Sequence, residues 1–140
     1  MSKVSHSTAV GSIMYSMVNT RLDLSYSIGL LSKFMSNPRK AHWTAMKHVL
    51  RYIASTTELG LKYEKVGDLI EVEGYVDANF SGDKDSSKST TAYVFMVSGN
   101  CISWKSQLQP IVTLSTTEAK YVATTEAIKE GFGYKDCSRC

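Results

Sequence analysis

Apolar residues recur at helical spacing three times before the chain changes period. Val10, Ile13, Met14, Met17 and Val18 predict a first helix from Ala9, with the Ser/Thr-rich residues 1–9 before it read as a frayed end. Asn19-Thr20-Arg21 interrupts that helix, and Thr20-x-x-Asp23 resembles the opening of a second one, whose stripe is Leu24, Ile28, Leu31 and Met35. Asn37-Pro38 marks the next boundary, with Asn as cap and Pro at the first helical position, where its missing N–H is not needed. Trp43, Met46, Leu50 and Ile53 line one face of the third helix, with Val49 beside them.

After Gly60 the period becomes two. Leu59 to Tyr63 reads as a short strand and Val66-Gly67-Asp68 as a turn. From Ile70, one face carries Ile70, Val72 and Val76, and the other carries Glu71, Glu73, Tyr75 and Asp77, which places Asp77 on the polar face at the strand's end. Thr91 to Val97 has apolar residues on both faces, so burial on both is expected. Ser98-Gly99-Asn100 predicts a tight hairpin turn back into Cys101-Ile102-Ser103-Trp104, and Pro110 ends the β section. Ser115-Thr116-Thr117-Glu118 fits a capping box that opens a last helix, expected to run to about Glu130 because Gly131 and Gly133 disfavour its continuation. The fold expected is α/β, with a helical N-terminal segment followed by a three-stranded antiparallel meander and one helix.

Charge sharpens this division. Residues 1–65 carry nine Lys/Arg against three Asp/Glu, whereas residues 66–140 carry seven against ten. A basic half joined to an acidic half suits a polyanion-binding surface beside a cation site, and it equally suits two solvated surfaces of opposite sign. Arg39, Lys40, Lys47 and Arg51 lie on or before the third helix, where Lys47 and Arg51 are four apart and adjacent on the surface. That helix could follow a phosphate backbone or simply present a solvated face. His42 and His48 are six apart, a spacing that does not suit two metal ligands on one helix face.

Cys101, Cys137 and Cys140 are too few to frame a disulfide scaffold, and the Cys137/Cys140 pair has no second pair to close a zinc site, so free thiols are expected. The start of the chain does not resemble a signal peptide, and Arg21, Asp23 and Lys33 interrupt the apolar stretches. A cytoplasmic or nuclear location without membrane contact is the expectation.

The candidate chemistry lies in Tyr75-Val76-Asp77-Ala78-Asn79-Phe80-Ser81-Gly82-Asp83-Lys84-Asp85. Oxygen donors this dense suit a hard cation such as Mg²⁺ or Ca²⁺. An EF-hand-like calcium loop accommodates Asp77, Asn79, Ser81, Gly82, Asp83 and Asp85, but its twelfth position is Lys88 and a strand precedes it where a helix is needed. A two-metal nuclease is the other reading, in which a strand-end carboxylate and a helix-borne carboxylate help to hold a pair of Mg²⁺ ions.

The order of motifs resembles the Pol polyprotein of copia-type retrotransposons, where the end of the reverse transcriptase runs into ribonuclease H. Residues 9–15, Asn19-Thr20-Arg21-Leu22-Asp23, Phe34-Met35-Ser36-Asn37-Pro38 and His42-Trp43 are similar to the reverse-transcriptase side. Residues 75–83, Ile102-Ser103-Trp104-Lys105-Ser106 and residues 114–121 are similar to the ribonuclease H side. The resemblance implies a reverse-transcriptase tail over 1–65 and the N-terminal half of a truncated ribonuclease H-like domain over 66–140. It also implies a parent that carries out reverse transcription and Mg²⁺-dependent hydrolysis of RNA in RNA–DNA hybrids. By motif, the first metal-binding aspartate falls on Asp77. The catalytic glutamate, the one just before the aromatic residue, falls on Lys120. Glu118 is about 200° away from it on a helix and is already accounted for as a cap. The family's two later aspartates are expected beyond Cys140. The chain is therefore expected to be catalytically inactive, with weak or no Mg²⁺ binding, a weak nucleic-acid partner and the remainder of Pol as the parental context. A non-catalytic nucleic-acid-binding remnant is the alternative.

Overall fold

The computed structural model describes residues 5–65, 67 and 70–137 and divides the chain into two compact units, Met1–Leu61 and Lys62–Cys140.

The first unit is helical. Helix α1 spans His6–Asn19, a single 3₁₀ turn covers Leu22–Leu24, α2 spans Ser25–Ser32 and α3 spans Lys40–Ser55. The expected frayed end is helical from His6 because Ser5 caps it, its hydroxyl accepting from the Thr8 N–H at 3.2 Å. Val10, Ile13, Leu24, Ile28, Leu31 and Met46 form the core, with Met17, Met35, Trp43, Val49 and Ile53 packed against it. Leu50 is the exception to the predicted stripe of α3, standing exposed at its margin.

The boundary before α3 differs from the expectation at Asn37-Pro38. Arg39 is the cap residue, its N–H donating to Nδ1 of His42 at 2.9 Å while the His42 N–H donates to the Arg39 carbonyl at 3.0 Å. The imidazole thus does what a Glu or Gln does in the third position of a capping box. Its ring also stacks on Phe34 at 4.0 Å.

The second unit is a three-stranded antiparallel sheet with one helix against it. Strand β1 is Val72–Asn79, β2 is Thr90–Val97, β3 is Asn100–Leu108, and the order is β1-β2-β3. Residues 59–63 do not form the expected strand. Just after that segment the Asn100 side chain pairs with Glu64, accepting from its N–H and donating to its carbonyl, both at 2.8 Å. One amide side chain thereby replaces a ladder pair. Of the turn expected over residues 66–68, only Gly67 lies among the described residues.

The β2–β3 hairpin turns through Ser98 and Gly99, at φ 47° and 75°. Two consecutive positive φ angles define the turn that matches the right-handed twist of the strands it joins. Strand β2 departs from the expectation of burial on both faces. Thr91, Tyr93 and Phe95 are buried, whereas Ala92 is exposed and Val94 and Met96 are half-buried.

Helix α4 spans Thr116–Cys137 and continues past both glycines that were expected to end it. Ala119, Ala123 and Ala127 are buried four residues apart, and Gly131 extends the row. A Cβ on Gly131 would stand 3.2 Å from the Phe95 ring, and one on Gly74 of β1 only 2.7 Å from it. The two glycines leave the space that the Phe95 ring fills between helix and sheet. That packing offsets the roughly 1 kcal/mol that a mid-helix glycine costs.

Candidate functional site

Asp77 stands two residues before the end of β1, opposite Ala92 of β2. Side chains alternate along a strand, and Gly74 faces the Phe95 ring beneath α4. Asp77 therefore lies on the other face of the sheet, as predicted for the polar side. It is exposed, and its Oδ1 accepts from the N–H of Ala78 at 2.8 Å.

The first turn of α4 is fixed at the same end of the sheet by Gln109, a fully buried residue just beyond β3. Its Nε2 donates to Oγ1 of Thr91 at 3.1 Å and to the carbonyl of Ala119 at 2.8 Å, while its N–H donates to the carbonyl of Ser89 at 2.9 Å. Thr91 pairs with Ala78, the residue after Asp77, so one amide ties the helix start to the row beside the aspartate. Ser89 extends this frame by bonding to Thr113 at 2.7 Å and accepting from the Ser81 N–H at 3.1 Å. Nothing in the hydropathy pattern marked Gln109, because a polar residue after a strand reads as a loop.

Glu118 has the role expected of it, shifted by one residue. Its N–H donates to Ser115 Oγ at 3.1 Å, and its own Oε2 accepts from the N–H of Leu114, one position before the cap, at 2.7 Å. Lys120 is exposed two residues further on, on a different face of the helix.

The loop after β1 is tied to itself. Asp83 accepts from the Ser86 hydroxyl, its N–H donates to the Lys88 carbonyl at 3.1 Å, and its carbonyl accepts from the Ser87 N–H at 2.8 Å. Ser81 and Ser87 take positive φ angles of 48° and 56°. Lys88, at the EF-hand-like position for a ligand, donates from Nζ to the carbonyl of Pro110 at 2.9 Å. Among the described residues no group of three or more His, Cys, Asp or Glu side chains is placed to hold a metal ion.

In the other unit, Lys40, Lys47 and Arg51 are exposed along α3, and Arg39 is exposed at its cap. Offsets of seven and four residues at about 100° each put Lys40, Lys47 and Arg51 within about 40° of one another around the helix, well away from buried Met46. His48 lies at the margin of this stripe.

The structure gives Asp23 a different role from the helix opening that its Thr20-x-x-Asp23 spacing suggests. Arg21 is buried, and its Nε and Nη2 donate to the two carboxylate oxygens of Asp23 at 3.0 and 2.9 Å. The same guanidinium donates to the carbonyl and hydroxyl of Thr56, at 3.1 and 2.8 Å, and lies 5.6 Å from the Tyr52 ring centroid. Hydrogen bonding to Arg21 holds the Asp23 carboxyl below the usual carboxylate range, and the same bond raises the guanidinium. This is an internal brace for the end of α3.

No protein-family model matches the chain, and no solved structure matches it. Among described residues, no helix is long and apolar enough to cross a membrane. Curated relatives are clear. The chain is 49% identical over 130 residues to the retrovirus-related Pol polyprotein from transposon TNT 1-94 of Nicotiana tabacum, a match covering 93% of this chain and 10% of that protein. It is 42% identical over 120 residues to the Pol polyprotein from transposon RE2 of Arabidopsis thaliana, covering 84% of this chain and 8% of that one. It is also 46% identical over 130 residues to secreted RxLR effector protein 161 of Plasmopara viticola, covering 93% of this chain and 91% of that protein. The chain thus spans about a tenth of the transposon polyproteins it matches and nearly all of the third relative. With the motifs in the same order along both units, the chain belongs to the copia-type retrotransposon Pol polyprotein family.

Proposed function

We propose that the chain corresponds to the tail of a Pol reverse transcriptase over residues 1–65 and the N-terminal half of a ribonuclease H-like domain over residues 66–140, and that it binds nucleic acid without cleaving it. The single observation that carries the loss of cleavage is Lys120. An exposed ammonium stands on the helix at the position where the resemblance calls for a metal-binding carboxylate. The parent's chemistry needs several carboxylates converging on paired Mg²⁺ ions. Asp77, with one oxygen engaged by its own neighbour's N–H, and a lysine in place of the glutamate do not fit that ion. The antiparallel meander followed by a packed helix supports the ribonuclease H-like reading, and no step of hydrolysis is assigned to this chain.

Nucleic-acid binding rests on the basic stripe of α3. Lys40, Lys47 and Arg51 form a one-sided exposed line, which is what contact with a row of phosphates requires. An RNA–DNA hybrid is the polyanion proposed, by analogy with the parent.

The test uses one labelled RNA–DNA hybrid in two assays with the intact chain. Incubation with Mg²⁺ or Mn²⁺ should leave the hybrid whole, and an Asp77→Asn variant should behave identically. Retention of the hybrid by the protein should be visible at low salt and fall steeply as salt rises. Cleavage that disappears in Asp77→Asn would overturn the first half of the proposal. Absence of retention at low salt would overturn the second.

A further inference from the structure

We propose that the face of the sheet turned away from α4 is a docking surface for a basic, amphipathic element of a partner protein. The register sets Tyr75, Val94 and Trp104 opposite one another, so three large side chains cross β1, β2 and β3 in a single row. Met96 and Ala92 flank Val94 on the same face of β2. Helix α4 lies on the opposite face, where Phe95 sits between Gly74 and Gly131. Among the described residues of the Lys62–Cys140 unit, then, a strand whose sequence is apolar on both sides is covered by a helix on one side only. Tyr75, 59% exposed, lies at the rim of the row. Sheets with both faces apolar are found between two layers.

Charge selects the occupant. Glu73 and Asp77 flank Tyr75 on this face, both exposed, and no Lys or Arg among the described strand residues shares it. The two carboxylates lie about 13 Å apart along the strand. Basic residues bordering an apolar helical stripe, about two turns apart, would reach both while the stripe covers Tyr75, Val94 and Trp104. A second copy presenting the same face would set carboxylates against carboxylates, which disfavours symmetric sheet-to-sheet pairing. Nucleic acid is disfavoured by the same two charges. The surface therefore suits a protein segment with an apolar stripe and lysine or arginine margins.

The experiment reads Trp104 in the intact chain, with Trp104→Phe defining the background from Trp43. The probes are two synthetic amphipathic helices of about five turns, with the same leucine stripe bordered by lysine in one and glutamate in the other. In the chain alone Trp104 should be quenched by acrylamide. Adding the lysine-bordered helix should protect it and shift its emission to the blue, with affinity roughly tenfold or more above that of the glutamate-bordered helix. The double variant Glu73→Lys/Asp77→Lys should reverse that preference. Tyr75→Lys, at an exposed position and with its fold checked by circular dichroism, should weaken binding of the lysine-bordered helix. Equal binding of both helices, or a preference unmoved by the charge reversal, would overturn the proposal. So would a Trp104 already protected in the chain alone, which would mean the chain covers its own face. A concentration-dependent dimer abolished by Tyr75→Lys would overturn it in favour of a second copy.

Discussion

Arg21 grips both carboxylate oxygens of Asp23, two residues away, and with its remaining donors holds Thr56, thirty-five residues away. The short reach orients the guanidinium, and the long reach fastens the C-terminal end of α3 to the turn between α1 and α2. Removing the carboxylate leaves a buried cation with half its partners. Asp23→Ala is expected to destabilise the helical unit by about 1–3 kcal/mol, below the range for a fully buried pair because Asp23 is partly solvated. Thermal melts followed by circular dichroism measure the loss, and an unchanged midpoint would contradict this role.

The same pair sets a pH dependence. The folded-state pKa of Asp23 is lowered, so its contribution is present above the unfolded value of about 3.9 and is lost as pH falls through the folded-state value. The melting midpoint of the intact chain should drop below about pH 4. Asp23→Asn should flatten that part of the profile. A profile of identical shape in both proteins would show that other carboxylates govern acid unfolding.

Gly131 and Gly133 are two residues apart on one helix and should respond oppositely to substitution. A Cβ at Gly133 meets nothing within 4 Å, so Gly133→Ala should stabilise the sheet unit by roughly 1 kcal/mol. Gly131→Leu places a branched side chain against Phe95 and should destabilise it by about 1–3 kcal/mol. Urea midpoints of the two variants decide the matter. Stabilisation by both would mean that α4 does not rest on Phe95.

Ser98 occupies a left-handed conformation that asparagine adopts more readily. Ser98→Asn creates the Asn-Gly pair favoured in this kind of hairpin turn and is expected to raise stability by about 0.5–1 kcal/mol. Gly99→Ala, at φ 75°, should lower it by about 1 kcal/mol or more. Both are read by chemical denaturation.

Lys47 and Arg51 are expected to contact phosphates as separate points on the α3 stripe. Each alanine substitution should weaken hybrid binding and reduce the slope of log K against log salt by about 0.7–0.9. Lys120→Ala tests whether the other unit contributes. An unchanged salt slope in the Lys47→Ala/Arg51→Ala double variant would remove α3 from the interface.

Local pattern determined much of this molecule. The amphipathic stripe of α3, the alternation that puts Asp77 on the polar side of β1, the Ser98-Gly99 turn and the capping role of Glu118 all depend on residues within a few positions of one another. The motif order, which identifies the family, is likewise written in the chain itself. Tertiary structure decided what depends on distant partners. Helix α4 passes Gly131 because Phe95, thirty-six residues earlier, fills the space that glycine leaves. Gln109 is a buried brace because Thr91 and Ala119 converge on its amide. Residues 59–63 stay out of the sheet, and Glu64 just beyond them pairs with the side chain of Asn100 instead of with a strand, and one face of β2 stands outside the helix layer that its composition called for. Propensity and period act over a turn or a strand, whereas a buried donor finds its acceptor, and a ring its cavity, only once elements far apart in sequence have packed.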